Sequence, residues 1–226
     1  GAQVFNGVID VSSPLTRSRK SGYHRVEAYS DAVFAIISTL IAYDLMKTGV
    51  HGGSDLATDL LKAWPFYLAF GMSFLVVGQM WLVHHNLWQM IRTADQGLLV
   101  LNLLLLFFIA VLPWAAKLVA LHWNDAASNL HVATAIYAAI ALGQAWTFNA
   151  TLRWARARNL YDESMTDVRY RSVRRRFLVG PAIYGCALIT SFISPYLSIA
   201  AYFVAALVYI DMGFLSPFQK PKPLDD

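Results

Sequence analysis

Six side chains of this sequence are of types that could do chemistry inside an otherwise apolar setting. They are Arg25, Ser30, Asp31, His84, His85 and Asn102. At about 1.5 Å per residue along the predicted helices, all six fall in one layer, near the same end of three consecutive apolar stretches. Charge is costly at that depth in a membrane, so we expect these groups to face protein or water and to partner one another.

This polar layer has three interpretations. The favoured one is a structural network that orients the first apolar stretch against its neighbours. The second is gating or proton sensing by the histidines. The third, a metal site, has the least support, because His84 and His85 are adjacent and point to different faces of a helix, unlike an i, i+4 ligand pair. We therefore expect no metal and no cofactor.

The stretch that carries the first three of these residues also presents an apolar stripe. At 100° per residue, Ile36, Leu40 and Tyr43 lie within about 40° of one line, and Thr39 lies about 60° from it. The Ser-Asp pair falls roughly 120–140° away, so one helix offers two different faces. From the residues alone, ordinary packing against lipid or protein is the favoured interpretation. The Thr39 hydroxyl can turn toward the stripe or bond back to a carbonyl of the preceding turn.

The composition indicates that membrane helices hold these residues. Of the 226 residues, 57% are hydrophobic and only 14% are charged, whereas a soluble domain has about 25% charged residues. The predicted fold class is all-α, a polytopic membrane protein with six transmembrane helices. Their predicted ranges are 25–46, 64–91, 97–121, 130–154, 177–193 and 196–214.

The predicted organisation is one membrane domain between two polar ends. The cytoplasmic N-terminal segment covers 1–24, the six-helix transmembrane domain 25–214 and the cytoplasmic tail 215–226. The first segment is predicted to be flexible. The basic stretch 155–176 is predicted to continue the fourth span as an interfacial helix. A short helix capped by Ser54 or Asp55 is predicted before the second span.

The positions of the basic residues predict the orientation. With the N-terminus in the cytoplasm, 15 of the 18 Lys and Arg fall inside, and only Lys47, Lys62 and Lys117 fall outside. This asymmetry follows the positive-inside rule, so both termini are predicted to be cytoplasmic, with the protein in the cell (inner) membrane. The net charge of +4 is then an orientation signal, and no nucleic-acid partner is expected. No nucleotide loop, metalloprotease motif or serine elbow occurs, so we expect no enzyme.

The segment Arg25-x-x-x-Tyr29-Ser30-Asp31, followed by Ala-Val-Phe-Ala-Ile-Ile-Ser-Thr-Leu, resembles a known signature. It is similar to the first helix of the transmembrane protein 175 family, potassium channels of lysosomes and, in shorter form, of bacteria and archaea. The family pattern has Phe where Tyr29 stands and commonly Gly where Ala32 stands. The six-span layout resembles the short family members over almost the whole chain.

The resemblance implies a function for the stripe. It implies a weakly potassium-selective cation channel, a homotetramer in the lipid bilayer whose pore is lined by the first helix of each subunit and carries potassium ions. Ile36 would form the apolar constriction or gate, continued by Leu40 and Tyr43. Thr39 would contribute to selectivity if its hydroxyl turns toward the axis; a back-bonded Thr39 would be only a helix residue, with selectivity elsewhere. The alternative is a secondary transporter or proton-coupled cation carrier that uses the Asp and His residues. Such carriers often have broken helices, but no Gly or Pro lies between Arg25 and Thr48.

Overall fold

The computed structural model describes residues 14–46, 55–125 and 127–211, and within these ranges it contains helices and no named strand. The all-α prediction is confirmed. In chain order the helices are α1 (Pro14–Met46), α2 (Leu56–Lys62), α3 (Trp64–Gln89), α4 (Gln96–Leu121), α5 (Ala127–Ala157), α6 (Asp167–Phe177), α7 (Val179–Ser191) and α8 (Pro195–Asp211).

The first helix is longer than the sequence predicts. It begins at Pro14, ahead of Arg25, so the predicted flexible segment is wrong over 14–24; residues 1–13 lie outside the described residues. Proline is compatible with a helix start because the first backbone N–H has no intrahelical partner. Of the two predicted caps for α2, Asp55 is the N-cap, and it accepts hydrogen bonds from the Ala57 amide and the Thr58 hydroxyl.

The predicted continuous helix over 155–176 is also wrong in part, because α5 ends at Ala157 and α6 begins at Asp167. Asn159 adopts a left-handed conformation with φ 55°. The Leu160 amide donates to the Ala155 carbonyl and the Asn159 amide donates to the Arg156 carbonyl. This pair of bonds is the Schellman arrangement that ends a helix.

Backbone pairing then joins the residues after α5 to the end of α3. The Arg92 amide donates to the Leu160 carbonyl at 2.8 Å, and the Asp162 amide donates to the Met90 carbonyl at 3.0 Å. The buried Tyr161 hydroxyl donates to the Leu152 carbonyl at 2.8 Å. Burial raises the pKa of the Tyr161 phenol, so the group remains a hydrogen-bond donor at neutral pH.

Three described segments are long and apolar enough to cross a membrane. They are Arg25–Tyr43, Trp64–Gln89 and Gln96–Leu121, and Pro195–Tyr209 is a shorter apolar helix. These helices hold the polar layer and the stripe: α1 packs against α3 and α4, and α4 packs in turn against α5. The core lies between them and includes the fully buried Leu98, Ile109 and Leu152.

Two glycines let α4 and α5 approach closely. A Cβ at Gly97 would lie 2.2 Å from the Trp154 ring, and a Cβ at Gly143 would lie 2.6 Å from the Phe108 ring. The Trp154 indole also donates to the carboxylate of Asp95, at 2.9 and 3.0 Å. Asp95 is the N-cap of α4, so one carboxylate both starts α4 and fastens it to α5.

Candidate functional site

The two faces predicted for α1 are present, and they differ in burial. Ile36, Leu40 and Tyr43 are 58%, 56% and 52% exposed, whereas Phe34 and Ile37 are buried against the bundle. Thr39 is exposed beside the stripe. The helix therefore packs with one face and leaves the stripe uncovered in the protomer.

The Thr39 hydroxyl bonds back to its own helix. It donates to the Ile36 carbonyl at 2.8 Å, which is the second of the two states that the sequence allows. The single hydroxyl proton is used in this bond, while the lone pairs of the oxygen remain able to accept a hydrogen bond or contact a cation. The expectation that a back-bonded Thr39 is only a helix residue therefore does not follow, because the oxygen can still act as a ligand.

A cleft between α1 and α4 adjoins the stripe. Its volume is about 290 Å³. It is lined by Ile37, Leu40, Ile41, Tyr43, Ala110, Pro113 and Trp114. Trp114 is 51% exposed, so the apolar surface of the stripe continues sideways onto α4.

Three of the predicted polar residues form a buried chain across three helices. His84 Nε2 and Asn102 Oδ1 are 2.9 Å apart, and Asn102 Nδ2 donates to Ser30 Oγ at 3.0 Å. Ser30 Oγ donates in turn to the Val26 carbonyl at 2.9 Å. All three side chains are at most 2% exposed. This chain of hydrogen bonds joins α3, α4 and α1 on the side of α1 that faces away from the stripe.

The direction of this chain assigns the protons of the histidine. Since the Asn102 amide nitrogen faces Ser30, its oxygen accepts from His84 Nε2–H. A neutral His84 then has Nδ1 as a bare acceptor. Nδ1 is buried and has no hydrogen-bond partner among the described residues. The rings of Phe34 and Trp88 lie beside the imidazole, with centroids at 5.5 and 5.7 Å.

The remaining predicted residues lie nearer the surface and pair differently from the prediction. Asp31 Oδ1 accepts from the Trp81 indole at 2.8 Å. His85 Nδ1 lies 3.4 Å from Glu27 Oε1, and its Nε2 lies 2.7 Å from the Gln89 side chain. Trp81 stacks on His85 with centroids 5.7 Å apart. These contacts form two rungs between α1 and α3.

The sequence predicts Asp31 to lie with the histidines, whereas its hydrogen-bond partner is the Trp81 indole. A signal for the two rungs was available: Glu27 and Asp31 are four residues apart on α1, and Trp81 and His85 are four apart on α3, so each pair shares a helix face. Arg25 is exposed and takes part in neither set. Among the described residues no three His, Cys, Asp or Glu side chains are grouped to hold a metal ion.

Comparisons with known proteins agree with this architecture. The family model described as endosomal/lysosomal potassium channel TMEM175 matches residues 25–113. A potassium channel of Streptomyces collinus is 36% identical over 187 residues, which cover 82% of this chain and 90% of that protein. A protein of Bos taurus named endosomal/lysosomal proton channel TMEM175 is 37% identical over 114 residues, covering 47% of this chain and 22% of that protein.

Solved structures show the same fold. The crystal structure of a lysosomal potassium-selective channel TMEM175 homologue from Chamaesiphon minutus superimposes with a TM-score of 0.74 at 31% identity, over 84% of this chain and 97% of that one. A variant of the potassium channel MtTMEM175 gives a TM-score of 0.61 at 19% identity, which supports the fold alone. Fold and relatives together define a helical membrane protein of the ion-channel class, not an enzyme. The chain belongs to the TMEM175 family.

Proposed function

We propose that the protein is a weakly potassium-selective cation channel in which α1 lines the pore. The observation that carries this proposal is the uncovered stripe of Ile36, Leu40 and Tyr43, more than half exposed on a helix whose opposite side is held by a buried hydrogen-bonded chain. A fixed helix with one free apolar face is suited to line a pathway shared between subunits. The relatives named as potassium channels support the choice of ion.

The pore requires several copies of the chain, because one helix cannot enclose an aqueous path. Four copies about one axis form a closed symmetric ring. The cleft between α1 and α4, next to Leu40 and Trp114, provides space for packing against a neighbouring copy. We propose a homotetramer in the cell (inner) membrane, formed by the channel domain at 25–214.

Six spans are proposed for each subunit: α1, α3, α4, α5, α7 and α8. α5 has 31 residues, about 46 Å of helix and more than enough to cross the membrane. Its buried Gln144, Thr147 and Asn149 lower its hydropathy but face other helices. α7 is shorter, with 13 residues, and packs between α5 and α8. With six spans both termini lie on the same side of the membrane, and the distribution of Lys and Arg supports the cytoplasm as that side.

The proposed gate is a ring of four Ile36 side chains. Such a ring has no polar atom to replace the water shell of an ion, so a narrow ring is a barrier. Ile36→Asn is expected to raise the resting current in planar bilayers, because the amide lets water wet the constriction. Val100→Asn, at a residue of α4 that is likewise 58% exposed, is the matched control and should keep the wild-type current. Equal currents in wild type and Ile36→Asn would remove Ile36 from the pore.

The proposed selectivity element is Thr39, one turn beyond the gate. Its oxygen is exposed and its proton is engaged by the Ile36 carbonyl, so lone pairs are available to a passing cation. Potassium gives up its water more easily than sodium, so weak oxygen ligands favour it modestly. Thr39→Val keeps the shape and removes the oxygen, and we expect the reversal potential under a potassium–sodium gradient to move toward zero. An unchanged reversal potential would exclude the hydroxyl as a selectivity element.

The decisive experiment for the whole proposal combines current and symmetry. The purified protein in planar bilayers with potassium chloride should give unitary current steps. Its particles should show fourfold symmetry, with the four α1 helices around the axis. A saturable flux coupled to protons, without unitary steps, would instead assign the protein to the carriers.

A further inference from the structure

The surface of α6 carries unpaired arginines in an ordered pattern. The basic face, as it is called here, consists of Val168, Arg171, Arg174, Arg175 and Leu178. Three residues separate Val168 from Arg171, three or four separate Arg171 from the next two arginines, and four or three separate these from Leu178. At 100° per residue they lie within about 120° of one another around the helix. All five are exposed, with Val168 at 70% and Leu178 at 43%.

The opposite side of α6 is fixed to the bundle, which turns the basic face outward. Val173 and Phe177 are buried, and the Phe177 ring meets the Phe148 ring of α5 edge-on at 5.9 Å. The Thr166 hydroxyl caps the start of the helix by accepting from the Arg169 amide. The orientation of the basic face is therefore set by packing.

The acidic groups near α6 pair with cations outside the basic face, so they do not neutralise its arginines. Asp167 pairs with Arg156, and Glu163 lies 4.0 Å from Arg92. Arg169, on another side of α6, donates to Ser164. Within the described ranges, the guanidinium groups of Arg171, Arg174 and Arg175 have no hydrogen bond or ion pair.

The position of α6 along the chain places this face beside the membrane surface. α6 ends at Phe177 and α7, one of the six proposed spans, begins at Val179, with Leu178 between them. In the proposed orientation this end of α7 faces the cytoplasm, where anionic lipids attract basic segments. This step rests on the proposed function, specifically on its topology.

We propose that the basic face binds the phosphate groups of anionic lipid headgroups. Arginine is well suited to this because its planar guanidinium forms paired, charge-assisted hydrogen bonds with phosphate oxygens. The exposed Val168 and Leu178 flank the arginines and enter the boundary between headgroups and acyl chains, as apolar residues of interfacial helices do. A nucleic acid would use the charges but would leave these two apolar side chains without a partner.

The test measures lipid binding to the purified full-length chain in neutral detergent. Binding of fluorescent phosphatidylglycerol is compared with that of phosphatidylcholine, for the wild type and for variants with one, two or three of Arg171, Arg174 and Arg175 changed to Gln. We expect wild type to prefer phosphatidylglycerol, and its affinity to fall about fivefold with each arginine removed. The triple Arg→Lys variant should retain most of the preference. The control Lys62→Gln removes an exposed cation of α2 at the opposite end of the bundle. It should not change the preference for phosphatidylglycerol.

Three outcomes would overturn the proposal: equal phosphatidylglycerol binding by wild type and the triple Gln variant, displacement of the lipid by inorganic phosphate at similar concentration, or tighter binding of a short single-stranded RNA. A matching elution volume and melting temperature for the Gln and Lys triple variants ensures that a loss of lipid binding reports on contacts and not on folding.

The lipid-binding measurement does not depend on channel current. Lipid preference without unitary steps would therefore reject the channel and keep this site, and unitary steps without lipid preference would do the reverse.

Discussion

Two buried chains of hydrogen-bonded side chains, one in each half of the molecule, end in different ways. In the first half, His84, Asn102 and Ser30 link α3, α4 and α1. In the second half, the Tyr202 hydroxyl lies 2.6 Å from the Thr134 carbonyl, and Ser198 Oγ lies 2.7 Å from that hydroxyl. Ser198 also reaches the Ala187 carbonyl at 2.9 Å. The second chain ends on backbone at both sides, whereas the first ends on the Val26 carbonyl at one side and on a ring nitrogen at the other.

The difference shows what each chain contributes. Hydroxyl groups that end on helix carbonyls add to bonds that the backbone already makes, so they join α5, α7 and α8 without creating a special group. The chain in the first half relies on side chains alone for its contact between helices, and it leaves His84 Nδ1 buried without a described partner. Removing the central side chain should therefore destabilise the first half more than the second, because His84 Nε2–H would lose its only partner.

The largest expected effect comes from Asn102→Leu, which breaks the first chain at its centre. His84 Nε2–H loses its only partner and the Ser30 oxygen loses a donor, although Ser30 keeps its bond to the Val26 carbonyl. Each such loss costs about 1–3 kcal/mol. We expect the free energy of unfolding to fall by roughly 4 kcal/mol, measured by thermal unfolding in detergent. Leu103→Ala, at an exposed neighbour on the same helix, should change little. A similar loss of stability in Asn102→Leu and Leu103→Ala would show that the buried chain of hydrogen bonds adds no special stability.

A smaller effect is expected from Trp81→Phe, which tests the surface rungs against the buried chain. The change keeps an aromatic ring beside His85 but removes the indole donor to Asp31. A hydrogen bond to a carboxylate contributes about 1.5–3 kcal/mol, and because Asp31 is only half-buried, we expect about 1.5 kcal/mol. The proposed homotetramer should dissociate at a lower temperature, while unitary conductance stays the same. A variant with wild-type oligomer stability and no current would contradict the structural role of Asp31.

The smallest effect is expected from Tyr202→Phe, in the second chain. The hydroxyl bonded to the Thr134 carbonyl disappears, but the ring still packs on Tyr137 with centroids 4.3 Å apart. A loss of about 1 kcal/mol is expected, since a neutral hydrogen bond contributes that much on average. Thermal unfolding in detergent checks this loss of stability. A loss as large as that of Asn102→Leu would remove the distinction between the two halves.

The sequence was informative where side-chain type determines structure. The hydropathy of α3 and α4 predicts their bounds closely, and the rarity of Ser30, His84 and Asn102 in apolar stretches predicts that they meet. The pairing of Asp31 with Trp81 was missed because it depends on the register between α1 and α3, which neither residue specifies alone. The pairing of residues 90–92 with 160–162 was missed for another reason: its hydrogen bonds join backbone groups, which every residue has.

The close contact between Gly97 and Trp154 has an evolutionary consequence. Gly97 is a helix residue, so its requirement for glycine comes from the indole that occupies the place of its Cβ. Enlarging this residue alone would push the indole away from Asp95 and loosen the start of α4. Shortening Trp154 alone would leave an empty space beside a bare backbone. Substitutions at the two positions should therefore be tolerated in relatives mainly when they arise as a compensating pair.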